Sequence, residues 1–126
     1  MNEVLTVENV CVRYGELEAV RDVSFSLAAG ETLGLVGESG CGKSSLGRAI
    51  LRLEKLSAGR VLFEGWDVCS LAGAALKQFR CKAQIVFQDP YASLNPRWQI
   101  NETIAEPLKV HGRYDTAGGP ERVAEL

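Results

Sequence analysis

The stretch GESGCGKSS, Gly37 to Ser45, sets three glycines, one lysine and three serines into nine positions. Residues this small build no core, so the backbone they free must close around something. Just before it lies LGLVG (33–37), a short continuous apolar run of the kind found in strands buried on both faces. After Lys43 the period changes. Leu46, Ile50 and Leu53 recur at helical spacing with Arg48, Arg52 and Lys55 on other faces, which predicts an amphipathic helix. Its later basic residues suit the negative end of the helix dipole.

Strand, glycine-rich loop and helix in that order satisfy GxxxxGK[ST] at Gly37, Gly42, Lys43 and Ser44. Glycines let the backbone wrap with its N–H groups inward, and the following helix begins with unpaired donors and a positive dipole end. A triphosphate fits that concavity. The candidate cofactor-binding run is Gly37, Glu38, Ser39, Gly40, Cys41, Gly42, Lys43, Ser44 and Ser45. Within it, Lys43 reaches the β- and γ-phosphates, Ser44 ligates Mg²⁺ and Ser45 donates to the α-phosphate. The bland alternative is a glycine-rich turn that binds nothing. A chance match in a chain of this length is on the order of one in a hundred to a few hundred. The dinucleotide fingerprint GxGxxG does not occur in this register and would leave the lysine unexplained. Cys41, near a helix N-terminus and Lys43, is a candidate thiolate, although a small residue that simply fits explains it equally well.

The rest of the chain is ordinary globular sequence, 126 residues with 46% hydrophobic and 24% charged. The net charge of −2 offers no basic footprint for nucleic acid. MNEVLTVENV carries an acid and no basic region, unlike a secretory leader, and no apolar run approaches a membrane span. Four scattered cysteines and a single histidine suggest neither a zinc site nor a disulfide framework, and fit reduced thiols. Near-alternation predicts strands over 4–12 and 23–27, with further strands over 61–65 and 84–88. Helices are expected over 71–82, from 101 to 108 and in PERVAEL (120–126), with DPYASLNP a proline-fixed loop and HGRYDTAGG a linker.

Several stretches carry a resemblance to a known family. VRYGELEAV around Tyr14, VGESGCGKSSLGRAILRL (36–53), IVFQDPYASLNPR (85–97) and IAEPLKVHG (104–112) are similar to the ATP-binding cassette (ABC) ATPase subunits of oligopeptide and dipeptide permeases. The resemblance implies an α/β fold, a P-loop NTPase core with an N-terminal antiparallel β-subdomain, truncated before the helical subdomain is complete. Residues 1–30 would form the antiparallel region, 31–56 the P-loop strand and helix, 57–100 a β region with the Q-loop, and 101–126 the start of the helical subdomain. It further implies that Tyr14 stacks on adenine, that Val20 lines the base or ribose side, and that Gln88 is a Q-loop glutamine able to touch Mg²⁺. Stacking is worth roughly 0.5–1.5 kcal/mol, so Tyr14 would orient the base more than hold it. As a plain residue, Tyr14 would cover a strand end and Gln88 would be solvated.

The same resemblance implies ATP and Mg²⁺ as cofactors, Lys43 and Gln88 as catalytic groups, and Ser44 and Gln88 as metal ligands. The partners would be a second ATPase subunit and transmembrane permease subunits, met through residues 89–97 with Tyr91 and Trp98. The place would be the cytoplasmic face of the membrane. Ser45 stands where threonine is usual. The LSGGQ signature, the Walker B aspartate with its following glutamate and the switch histidine are not found in these 126 residues. His111 comes too early for the switch and is expected in solvent, and Glu64 is expected in a turn. The chain alone is therefore expected to bind ATP without hydrolysing it. The alternatives are a non-catalytic nucleotide-binding module or a soluble ABC ATPase not coupled to transport. Peptide, nickel and glutathione cargo are all compatible with the sequence.

Overall fold

The N-terminal apolar alternation forms strand β1 (Glu3–Tyr14). The alternation at 23–27 belongs to a longer strand, β2 (Leu17–Ala28), which begins well before it. The two pair antiparallel with Tyr14 opposite Leu17. Gly15, at φ 61°, supplies the positive dihedral that so tight a hairpin turn demands. The computed structural model describes residues 3–116 and 118–126; Met1 and Asn2 of the N-terminal segment, and Ala117 of the expected linker, lie outside them.

Alternation in β1 is only approximate because a bulge interrupts it. Asn9 adopts φ 48°, and the register with β2 shifts between Val7 and Val10. The extra residue brings Val7, Val10 and Val12 to the same buried face, each no more than 1% exposed. Side chains hold the bulge: the Asn9 amide Nδ2 donates to Asp22 Oδ1 at 2.8 Å, and the Asn9 backbone N–H donates to Ser24 Oγ at 2.8 Å. β3 (Ala58–Phe63) pairs with the other side of β1, and β4 (Trp66–Asp67) adds an edge after a turn at Glu64 and Gly65. The sheet order is β2-β1-β3-β4, all antiparallel. Glu64 is the expected turn residue, with φ 49° and an ion pair to Lys82.

Helix α1 (Lys43–Ile50) lays Leu46 and Ala49 on the valine face of the sheet. It stops before Leu53, earlier than the sequence predicts. Arg52 takes φ 56°, its N–H bonds to the Ala49 carbonyl and that of Leu53 to the Arg48 carbonyl, a Schellman closure. Leu53 is consequently 52% exposed. After a short 3₁₀ turn (Val68–Ser70), α2 (Gly73–Lys82) packs Phe79 edge-on against Phe63, with ring centroids 5.2 Å apart.

Two expected strands are not formed. Residues 33–37 and 84–88 have no regular structure, and Val36 and Val86 are 94% and 97% exposed. An apolar run of this kind becomes a strand when parallel neighbours complete its ladder and cover both faces. No such neighbour exists among the described residues. The chain divides into two compact units, up to Gln84 and from Ile85 onward. The second contains α3 (Ile100–Val110) and α4 (Gly119–Glu125), as the sequence predicts. The Glu102 carboxylate accepts from the Gln99 N–H at 2.8 Å and so starts α3, and Gly112 at φ 66° ends it. Among the described residues no helix is long and apolar enough to cross a membrane.

Candidate nucleotide-binding site

Glycine placement shapes the Gly37–Ser45 loop. Gly42 sits at φ 96°, and a Cβ there would lie 2.1 Å from the Ala19 carbonyl oxygen and 3.3 Å from Val20 Cγ2. The loop is thus drawn directly onto β2, an approach that a side chain forbids. At Gly37 a Cβ would meet Cys41 Sγ at 2.5 Å, and the Cys41 N–H closes a turn onto the Glu38 carbonyl at 3.3 Å. Gly40, at φ 78°, has open space around it, and Glu38, Ser39 and Gly40 are exposed.

From this loop α1 rises with its first turn unguarded. The Gly42 carbonyl accepts from the Leu46 N–H at 2.9 Å, no side chain caps the helix, and no acid lies in its first turn. The N–H groups of Lys43, Ser44 and Ser45 therefore have no intrahelical acceptor, and the positive dipole end is unopposed. This is the chemistry an anion requires, and it agrees with a phosphate seat. The Lys43 ammonium lies over the loop, donating to the carbonyls of Gly37 at 2.7 Å and Glu38 at 2.6 Å, with Cys41 Sγ at 3.4 Å. Ser44 is exposed, leaving its hydroxyl open to a hydrated cation. Among the described residues no group of three His, Cys, Asp or Glu side chains offers a metal cage. Mg²⁺ fits such a site, because it keeps its waters and takes few protein oxygens beside those of phosphate.

Beside the loop opens a cleft of about 370 Å³, lined by Glu18, Val20, Arg21, Leu35, Cys41 and Lys43 among others. Val20 is 6% exposed, so it serves the core and the cleft wall together. Glu18 is a residue the motifs do not reveal. Its carboxylate takes Arg13 at 3.0 Å and Arg21 at 2.7 Å, and those two hydrogen bonds, that of Arg13 foremost, hold its pKa below the ordinary carboxylate value. Of this cluster Glu18 and Arg21 line the cleft, so the Glu18 charge is balanced and Lys43 is the further cation of the lining. The signal in the sequence is a charge pair across the hairpin, since Arg13 stands opposite Glu18.

Tyr14, 42% exposed, does not stand apart from the loop: its hydroxyl donates to Ser45 Oγ at 3.3 Å. The first unit thus gathers Tyr14, Val20 and Gly37 to Ser45. Gln88 belongs to the second unit, exposed and outside any regular element. Near it Asp89 Oδ1 accepts from the Tyr91 N–H at 2.9 Å, an Asx turn that leaves Tyr91 88% exposed and Trp98, further on, 43% exposed. His111 is half-buried rather than solvent-exposed; it stands at the C-cap of α3, its backbone N–H donating to the Pro107 carbonyl at 3.1 Å. None of the four cysteines forms a disulfide, and Cys41 and Cys69 are exposed. Although Cys69 is exposed as a residue, partial desolvation of its sulfur, then the nearby Asp67 carboxylate, pushes the thiol up.

Residues 20–125 match the model of the ABC transporter family. The oligopeptide transport ATP-binding protein AppF of Bacillus subtilis (strain 168) is 50% identical over 115 residues, 90% of this chain and 35% of AppF. The glutathione import ATP-binding protein GsiA of Escherichia coli (strain K12) is 45% identical over 134 residues, 98% of this chain and 22% of GsiA. The chain therefore spans about a third or less of the length of these relatives. A crystal structure of a nucleotide-free ATP-binding cassette from an ABC transporter matches with a TM-score of 0.66 at 31% identity, over 82% of this chain and 39% of that one. Loop, helix and relatives agree, and the chain belongs to the ABC transporter family.

Proposed function

We propose that this chain is the nucleotide-holding part of an ATP-binding subunit that powers import of peptides or similar small solutes. The observation that carries the reading is the uncapped start of α1 beneath the Lys43 ammonium, drawn onto β2 by Gly42. When bound, Mg·ATP supplies the cleavable β–γ bond and the cation that neutralises its charge. Lys43 exchanges loop carbonyls for phosphate oxygens, Ser44 offers the metal its hydroxyl, and Ser45 donates to the α-phosphate. Val20 lines the cleft wall and Tyr14 presents a ring to adenine. Gln88 is the proposed further metal contact. Residues 1–126 carry neither an LSGGQ signature nor an acidic pair after an apolar strand, so binding without turnover is their expected share.

The names of AppF and GsiA support peptide or glutathione import as the work of the whole protein. The proposed partners are a second ATPase subunit and transmembrane permease subunits meeting residues 89–97, on the cytoplasmic face of the membrane. Calorimetric titration with Mg·ATP tests the core of the reading. Lys43→Ala removes a charge-assisted contact and is expected to weaken binding roughly 10- to 100-fold. Equal affinity in wild type and Lys43→Ala would overturn it.

A further inference from the structure

We infer that Tyr14 is a positioning residue for the phosphate seat as well as a platform for a base, acting through the hydroxyl of Ser45. The inference rests on the nucleotide-binding reading and adds a role that the motifs do not give. Tyr14 closes β1, far from the loop in sequence, yet its phenol lies 3.3 Å from Ser45 Oγ in the first turn of α1. A phenol is the stronger acid of two hydroxyls and the better donor, so Tyr14 O–H donates and Ser45 Oγ accepts. That commits a lone pair of Ser45 and leaves its own proton to be given away. The Ser45 N–H has no intrahelical acceptor, so hydroxyl and amide are two donors at the positive end of one helix. Donation into Ser45 Oγ polarises its O–H, so each bond of the chain Tyr14, Ser45, phosphate oxygen strengthens the next. At 3.3 Å the contact is long for two hydroxyls, as in sites whose hydrogen bonds tighten when the ligand arrives.

A residue that only stacked on a base, or only covered the hairpin end, would not influence a ligand lacking a base. Inorganic tripolyphosphate with Mg²⁺ is therefore the probe, titrated calorimetrically into the purified protein. Tyr14→Phe keeps the ring and is expected to weaken tripolyphosphate binding roughly 3- to 10-fold. Ser45→Ala is expected to weaken it at least as much, the double variant no further than Ser45→Ala, and Ser45→Thr, which keeps a hydroxyl, to bind as wild type. Wild-type affinity in Tyr14→Phe, or losses that multiply in the double variant, would overturn the inference. If Lys43→Ala still loses binding in that case, the nucleotide reading survives. Absence of tripolyphosphate and ATP binding in the wild type would overturn both.

Discussion

Gly40 and Gly42 both adopt positive φ, 78° and 96°, but their surroundings differ. A methyl at Gly40 meets nothing within 4 Å, whereas one at Gly42 runs into the Ala19 carbonyl at 2.1 Å. Gly40→Ala should therefore cost only the left-handed backbone term, about 1–2 kcal/mol. Gly42→Ala adds displacement of the loop from β2 and should cost roughly 3–4 kcal/mol. Denaturant unfolding of the two variants checks the order; equal costs would show that the contact with β2 is not tight. At this scale the candidate site was largely legible. The spacing of Gly37, Gly42 and Lys43 encodes a loop that only small residues permit. Less legible were Arg13, Glu18 and Arg21, since a cross-strand cluster shows only once the hairpin register is known. The tie between Tyr14 and Ser45 was hidden for the same reason, being a product of tertiary packing.

Helix α1 illustrates what periodicity carries at the scale of an element. Its buried face follows from Leu46 and Ala49, and its start from the glycine before it. Its end does not, because the Schellman closure is made with Arg52 in the left-handed region, where glycine would be the usual signal. The Arg52 guanidinium also bonds the Leu71 carbonyl, so tertiary contact supports a backbone state that sequence disfavours. Inside the helix, a methyl added at Gly47 would meet nothing within 4 Å, and the backbone there is normal helix. Gly47→Ala should stabilise the protein by about 0.5–1 kcal/mol, read from the denaturation midpoint. A destabilisation would mean that the helix face at Gly47 is packed more closely than the fold shows. The bulge at Asn9 is a similar case: the valines announce a strand, while the shift that buries Val7 and Val10 together depends on Asp22 and Ser24 from the neighbouring strand.

For the whole molecule, the runs 33–37 and 84–88 read as buried strands, yet Val36 and Val86 are almost fully exposed. Periodicity reports what a segment is suited to, and a strand also needs a partner to pair with. The chain divides into two compact units and spans about a third or less of the length of AppF and GsiA. We propose that binding and turnover separate: the Gly37–Ser45 motif with Lys43 and Ser44 lies in residues 1–126, whereas no LSGGQ signature and no acidic pair after an apolar strand is found there. Steady-state phosphate release from Mg·ATP by the purified chain, run beside nucleotide binding, tests this division most directly. The expected result is nucleotide bound through Lys43 with release no faster than background. Clear turnover that Lys43→Ala abolishes would contradict it.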